Sequence, residues 1–179
     1  MRLRQDAEAL FAYYPVRRLD AEVLIDALCG IGSAGESYSS AIPEPFTFIP
    51  EYQRTIALAD GSITSSFLEM FGRSTRDTGL ESERNNQPSD AQRLYLLNST
   101  DVQRKIERSP RLQGLLKASK GNRRNMVHMI YMGLLSRPPT PDEVAAALEY
   151  CRTAGLAPRQ AAEDLAWALI NTKEFLYRH

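Results

Sequence analysis

The densest set of side chains that could do chemistry lies between residues 73 and 86 of this 179-residue chain. This polar turn contains guanidinium, carboxylate and amide groups: Arg73, Arg76, Asp77, Glu81, Glu83, Arg84, Asn85 and Asn86. Glu81 and Glu83 are two positions apart, so in an extended segment both carboxylates point the same way. With Asp77 they could bind Ca²⁺ or Mg²⁺ through hard oxygen ligands, or act as an acid–base site.

The arginines of the polar turn favour a different interpretation. Three guanidinium groups beside three carboxylates are typical of an ion-pair cluster that fixes an irregular loop. We therefore expect a structural network, and ligand binding, catalysis and metal binding stay open as alternatives. The sequence assigns no catalytic residue and no metal ligand.

Other candidate sites are sparse. Four basic residues could contact phosphate, but no aromatic residue is interleaved with them, which favours a solvated connection between helices. They are Lys117, Lys120, Arg123 and Arg124. We expect His128 to be packed or half-exposed rather than a base, because no Ser or Cys stands near it in the sequence.

The two cysteines, Cys29 and Cys151, each lie on the apolar side of a predicted helix. Two buried free thiols are expected, with a disulfide between them as the alternative. With His128 and His179 they lack the spacings of a zinc site, and the chain contains no Cys-x-x-Cys-His motif for haem attachment. We expect no cofactor in this chain.

Composition is that of an ordinary globular protein, with 43% hydrophobic and 25% charged residues. Basic and acidic residues are equal in number, 22 each, which argues against a general binder of polyanions such as nucleic acids but not against a local basic patch. No apolar run approaches the roughly 20 residues of a membrane span, and no apolar signal core follows the basic start of the chain. We expect a single domain, residues 1–179.

Helices are predicted for most of the chain. The ranges are 6–14, 19–29 with Gly30 at its C-terminal cap, 66–71, 90–98, 100–107, and 109–116. Within residues 121–179, three further helices form a subregion. Capping boxes are predicted at Ser89 with Gln92 and at Thr140 with Glu143. Met70 is expected to be largely buried, and the apolar face of the helix over 90–98 is expected to consist of Leu94, Leu97 and their neighbours Tyr95 and Leu96.

Residues 30–64 lack this regularity. Three prolines exclude a helix between residues 43 and 50, yet Phe46, Phe48, Ile49 and Tyr52 are too apolar for a freely solvated loop. We expect an extended arm laid over the helical core. A small hairpin around Asp60-Gly61 is the main strand signal. The predicted fold is mainly α: a compact helical domain with a long Pro/Gly-rich extended arm and at most a small β-hairpin.

Five stretches, in this order, together resemble the bacterial domain of unknown function 1553. They are YYPVRRLDAEVLIDAL (13–28), FLEMFGRSTRD (67–77), ESERNNQPSDAQRLYLLN (81–98), LLSRPPTPDEV (134–144) and AAEDLAWALINTKEFLYRH (161–179). Many relatives carry a C-E-C-E-R pattern in the central turn. Leu80 and Ser82 stand in place of those cysteines here, so the resemblance implies no thiol site in this chain, while Glu81, Glu83 and Arg84 match.

The resemblance implies a location and a partner. Such domains usually end long exported proteins, commonly after a domain of unknown function 1549 and often with a cytochrome c module. We therefore expect an extracytoplasmic protein, although the chain itself has no signal peptide, and Met1 to be a truncated start. The expected partners are the upstream domain of the same polypeptide or another protein.

The expected function is an uncharacterised helical C-terminal module with a structural or interaction role, not an enzyme by itself. The alternative is part of an enzyme active site, for extracellular polysaccharide or redox chemistry, completed by a missing upstream domain. An interaction module should expose an apolar patch. If the chain supplies part of an enzyme active site, the carboxylates of the polar turn should lie in an open pocket.

Overall fold

The computed structural model describes residues 16–32, 35–43, 45–50, 52–58, 61–73, 84–85 and 87–178. In this part the fold is mainly α, as predicted. The helices are α1 (Ala21–Gly32), α2 (Ser66–Met70), α3 (Asp90–Asn98), α4 (Thr100–Glu107), α5 (Pro110–Ala118), α6 (Arg123–Leu135), α7 (Pro141–Thr153), α8 (Pro158–Ile170) and α9 (Lys173–Leu176). The strands are β1 (Arg17–Arg18), β2 (Ser39–Ser40), β3 (Ile63–Thr64) and β4 (Tyr177–Arg178), and Thr55–Ala57 is a 3₁₀ helix.

The helix starts follow the predicted caps. The Ser89 hydroxyl accepts from the Gln92 amide, and the Gln92 side chain accepts from the Ser89 amide, which completes a capping box. Thr140 and Glu143 form the second capping box at the start of α7. Each box satisfies amide groups that the first helical turn leaves without partners. The predicted helix over residues 6–14 lies outside the described residues.

One hydrophobic core joins the helices. Its fully buried side chains come from several elements, including Leu24, Phe67, Met126, Ile130 and Ile170. Helix α8 packs on α4, α5 and α6, through a buried face that carries small residues such as Ala162 and Ala166. Small side chains let neighbouring helices approach closely. The core also contains the stacked rings of Phe67 and Phe71, 4.1 Å between centroids, with Tyr95 edge-on to both.

Two short antiparallel ladders tie distant parts of the chain together. β1 pairs with β4, with Arg17 opposite Arg178 and Arg18 opposite Tyr177. The Leu19 amide extends this contact by donating to the Leu176 carbonyl at 2.9 Å. β2 pairs with β3, with Ser39 opposite Thr64.

The described residues on either side of Asp60-Gly61 do not form the small hairpin that the sequence allowed there. The residues before that turn form the 3₁₀ helix, and β3 pairs instead with β2, which precedes the arm's prolines. The physical reason is a side chain from α1. The Asp26 carboxylate accepts from the Thr55 amide at 2.7 Å and from the Ile56 amide at 3.1 Å, so these amides are not offered to a strand.

The predicted end of α1 at Gly30 is also wrong, because the helix continues to Gly32. Gly30 is exposed, and a side chain there would meet nothing within 4 Å. The extra turn places Ile31 in the core. Its carbonyl accepts a hydrogen bond from the Ser109 hydroxyl at the start of α5. Tertiary packing here overrides the tendency of glycine to end a helix.

Several side chains predicted to be buried are exposed. In the arm these are Phe46 (83% exposed), Phe48 (78%) and Tyr52 (85%), whereas Ile49 is half-buried. The arm, defined here as residues 35–43, 45–50 and 52–58, therefore presents most of its rings outward. Met70, Leu94 and Leu97 are exposed as well. In α3 only the other half of the predicted apolar face, Tyr95 and Leu96, reaches the core, because one side of a helix cannot bury four residues that span a full turn.

Cys29 and Cys151 are free, as predicted, with Cys151 buried and Cys29 half-buried. None of the helices in the described part of the chain has the length and apolar character needed to cross a bilayer.

Candidate functional site

The described arginines of the polar turn converge on one carboxylate, that of Glu22 in the first turn of α1. Arg84 binds it with two nitrogens, Nη1 at 2.8 Å from Oε2 and Nη2 at 2.8 Å from Oε1. Arg73 Nε lies 3.4 Å from Oε1 of the same carboxylate. Bidentate pairing of a planar guanidinium with a carboxylate is the strong and directional form of this interaction.

These ion pairs lie largely inside the fold. The side chains of Arg73 and Glu22 are each 9% exposed, and that of Arg84 is 26% exposed. Arg73 also donates from Nη1 to the Ile63 carbonyl at 2.6 Å, so it links β3 to α1. The described cluster therefore uses its charges to fasten irregular segments onto the first helix.

Backbone contacts bring the two ends of the polar turn together. The Asn85 amide donates to the Gly72 carbonyl at 3.0 Å. Gly72 has φ +89°, a conformation that favours glycine, and a Cβ at this position would lie 1.9 Å from the Asn85 carbonyl oxygen. Only a residue without a side chain fits this close approach.

Five of the predicted site residues lie outside the described residues: Arg76, Asp77, Glu81, Glu83 and Asn86. The structure places Arg73, Arg84 and Asn85 close together, and the full eight-residue cluster stays a prediction.

A second polar network, absent from the sequence prediction, surrounds Arg18. This side chain is 6% exposed and donates to the Gln92 side chain and, at 2.6 Å, to the Phe71 carbonyl. Gln92 in turn donates to the Met70 carbonyl at 2.8 Å. The Arg18 guanidinium also lies 5.3 Å from the centre of the Phe71 ring. Burial lowers the pKa of Arg18. This network holds β1 and α3 against the end of α2.

Glu22 and Arg18 carried only a weak signal in the sequence. Glu22 reads as an acidic residue placed to complement the helix dipole. It is, however, four positions from Asp26, so both lie along one edge of α1. That edge receives two segments, since Asp26 binds the arm and Glu22 binds the polar turn. An i, i+4 pair of acids flanking an apolar stripe was the available clue.

A third group of ionisable side chains lies between α1 and α4. The Lys105 ammonium is 3.3 Å from Asp101 and 3.8 Å from Glu36, and the Lys105 side chain is 8% exposed. Burial lowers the pKa of Lys105, but the facing Cys29, Asp101 and Glu36 outweigh this and raise it above its ordinary value. Burial raises the pKa of Glu36.

Cys29 belongs to the same group, and its thiol is in an environment that lowers its reactivity. Burial raises the pKa of its thiol to about 11, and the nearby Lys105 only partly opposes this. A thiol is nucleophilic as the thiolate, which requires a lowered pKa at neutral pH. The environment of Cys29 therefore disfavours a role as a catalytic nucleophile.

Two pockets in the described part of the chain have the size of small-molecule sites. One, of about 410 Å³, is polar and is lined by α4 and by residues 35–37. Ser37, Ser66 and Tyr95 bring hydroxyls to it, and Arg104 and Arg108 bring cations. The other, of about 500 Å³, is mainly apolar and lies among α6, α7 and α8. Neither contains the described members of the polar turn.

A metal site is not formed by the described residues, in which no three His, Cys, Asp or Glu side chains are grouped suitably for an ion.

These features define a class of protein: a mainly helical domain whose described arginine–carboxylate cluster fastens loops to the core. The chain belongs to the family PSD1, protein of unknown function (DUF1553), whose sequence profile matches residues 2–151. No curated protein and no solved structure matches the chain.

Proposed function

We propose that this domain is a non-catalytic interaction module whose arm packs against another domain of the same polypeptide. The supporting observation is the outward face of the arm. Within eleven residues, Phe46, Phe48, Tyr52 and Ile56 are each 58–85% exposed. Large apolar side chains concentrated in this way on a surface are typical of protein interaction sites, and aromatic side chains dominate the energetics of such sites.

The arm's backbone is anchored to the domain, which supports its use as a docking element. Within the arm, the Tyr38 hydroxyl hydrogen-bonds the Gln53 carbonyl and the Thr55 hydroxyl, each at 2.8 Å, and so holds the two ends of the arm together. Asp26 of α1 attaches this part of the arm to the domain by accepting hydrogen bonds from the amides of Thr55 and Ile56. A segment whose backbone is already ordered loses less conformational entropy when its side chains bind a partner.

The ion pairs that the described arginines form with Glu22 support a structural role for the polar turn. Glu22 neutralises Arg84 and lies beside Arg73 inside the fold. An arginine held in this way is poorly placed to bind substrate. The proposed role of the whole turn is therefore to hold the chain between α2 and α3 on the core.

The family resemblance supports the choice of partner and location. A domain of unknown function 1549 commonly precedes domains of this family, in exported proteins. We propose that this domain, residues 1–179, works outside the cytoplasm, with a domain of that kind as the surface that covers the arm.

The test begins with the full reading frame of the gene and its 1549-type domain, produced as a separate polypeptide. We expect the two domains to form a complex in solution, measured by calorimetry and analytical ultracentrifugation. Replacing Phe46, Phe48 and Tyr52 together by Ser should weaken the complex by roughly 100-fold or more, because the loss of each aromatic anchor costs at least about 1 kcal/mol.

A matched control replaces other exposed apolar side chains, Leu94 and Met132, by Ser. This variant should bind as the wild type does, and both variants should keep the wild-type melting temperature. The proposal is overturned if the reading frame encodes no such domain, or if the arm variant and the control variant bind equally.

The alternative is a contribution to an enzyme active site, for polysaccharide or redox chemistry, that an upstream domain would complete. The observation that favours it is the polar pocket beside α4, whose hydroxyls and guanidinium groups suit a polar ligand. Replacing Arg104 and Arg108 by Gln should then abolish activity of the full-length protein without weakening domain association. Unchanged activity excludes this pocket as part of the active site.

A further inference from the structure

The mainly apolar pocket among α6, α7 and α8 combines features that neither the interaction role nor the polar turn uses. Its volume is about 500 Å³, which is within the range of small-molecule sites. Four alanine side chains of α7 and α8 make room for it. Three aromatic residues, Tyr131, Tyr150 and Trp167, and two acidic residues, Glu143 and Asp164, also line it.

The two carboxylates that line this pocket have different partners. The Arg137 guanidinium binds Glu143 through two hydrogen bonds of 2.8 and 2.9 Å, and it binds Glu174 as well. Asp164 instead accepts a hydrogen bond from the neutral Tyr150 hydroxyl at 3.0 Å. Of the two carboxylates that line the pocket, Glu143 is thus paired with a cation, whereas the hydrogen-bond partner of Asp164 is uncharged.

The aromatic rings complement the charge of Asp164, because the face of an aromatic ring attracts cations. The protein already uses one ring in this way, since the Arg137 guanidinium lies 5.4 Å from the centre of the Tyr131 ring. Tyr150 and Trp167 are the rings that remain in the lining: Tyr150 hydrogen-bonds Asp164, and Trp167 is three positions from Asp164 in α8.

We propose that this pocket binds a small organic cation, of the amine or quaternary ammonium class, between Asp164 and the rings of Tyr150 and Trp167. The carboxylate supplies charge, the rings supply cation–π attraction, and the alanine-lined space accepts the alkyl groups. A neutral ligand of the same shape would keep only the apolar part of this interaction.

Trp167 provides the measurement, because it is the single tryptophan of the chain. Choline is titrated into the protein at constant ionic strength while tryptophan fluorescence is recorded. We expect a saturable change with an affinity in the millimolar range, as befits a ligand of few atoms. Neohexyl alcohol, the uncharged analogue in which carbon replaces nitrogen, should bind about tenfold more weakly.

The Asp164→Asn variant should weaken choline binding by about tenfold while leaving the affinity for neohexyl alcohol unchanged. The matched control is Asp142→Asn, which removes an exposed acidic residue of α7 that does not line the pocket. A second variant, Tyr150→Leu, removes one ring at a half-exposed position and should also weaken choline binding.

Three results would overturn the proposal: no saturable fluorescence change, equal affinity for choline and its uncharged analogue, or equal weakening by Asp164→Asn and Asp142→Asn. The last would mean that choline responds only to the net charge of the domain. Circular dichroism of each variant verifies the fold, and Tyr150→Leu decides the outcome if Asp164→Asn does not fold. The result is independent of the arm, so it fails or succeeds separately from the proposed interaction role.

Discussion

Glu22 is the residue on which the described part of the polar turn depends. Replacing it by Gln removes the charge from a carboxylate that is bound by Arg84 and lies beside Arg73. We expect the free energy of unfolding to fall by about 2 kcal/mol, less than the usual loss for a fully buried pair because Arg84 is partly hydrated. Urea denaturation followed by circular dichroism measures this.

The control for this prediction is Glu69→Gln, in the neighbouring helix α2, where the side chain is exposed. That substitution should change the free energy of unfolding by less than about 0.5 kcal/mol. If the two variants lose the same stability, the ion pairs at Glu22 contribute nothing beyond a surface charge.

The sequence predicted that Arg84 takes part in an ion pair but did not predict which carboxylate binds it. Dense charge between two capped helices predicted an arginine–carboxylate cluster, and the candidate carboxylates were those nearby in the chain. The described partner, Glu22, is 62 positions away. Sequence spacing predicts contacts along one helix or strand, whereas a contact that bridges two loops and a helix depends on the packing of the whole chain.

The connection between α2 and α3 begins with a backbone geometry that only glycine accepts. In Gly72→Ala the new Cβ would clash with the Asn85 carbonyl, at a φ that alanine rarely adopts. We expect a loss of about 3 kcal/mol in the free energy of unfolding, because the two ends of the polar turn must separate. Thermal and urea unfolding both measure it.

Gly30→Ala is the matched substitution, at a glycine without such a contact. Gly30 lies inside α1, is exposed, and has open space around its Cβ position. Alanine should stabilise the helix by about 0.5–1 kcal/mol. A loss of stability there would contradict the continuation of α1 beyond residue 30, and equal effects of the two substitutions would contradict the close contact at Gly72.

The corner between α6 and α7 should give stability that depends on pH. Hydrogen bonds from Arg137 and then from Thr140 lower the pKa of Glu143 from its ordinary 4.5 to about 2. A lowered pKa in the folded state means that the stabilisation is complete above pH 4.5 and is lost as pH falls toward 2. Because these side chains are about one-third exposed, solvent screening keeps the effect small.

Glu143→Gln tests this, because glutamine retains the capping-box hydrogen bond and removes the charge. We expect the variant to melt about 2 °C below the wild type at pH 6, with the difference vanishing toward pH 2. Differential scanning calorimetry across this range provides the measurement. A constant difference at every pH would mean that the substitution acts through packing rather than through the ion pair.

For the whole molecule, the sequence predicted where helices begin better than it predicted which side chains are buried or which strands pair. Caps at Ser89 and Thr140 are local chemistry, and both were confirmed. The predicted burial of Phe46 and Phe48 was wrong, because the burial of a segment depends on which other parts of the protein cover it. The hairpin that the sequence allowed is not formed by the described residues, because Asp26 of α1 accepts hydrogen bonds from the amides that it would need.

The core is also larger than the part that the family profile matches. The match ends at residue 151, yet α8 buries Ala162, Ala166 and Ile170 completely against the earlier helices. A chain that ends at Cys151 would expose both sides of that contact, a loss on the order of 10 kcal/mol, comparable to the whole stability of a domain. We therefore expect it to melt without a cooperative transition in calorimetry. A chain that ends at Leu176 loses the β1–β4 pairing and the ion pair of Arg178 with Asp20 but keeps α8, and it should still melt cooperatively. Cooperative melting of the shorter chain would show that α8 is an addition to the domain rather than part of its core.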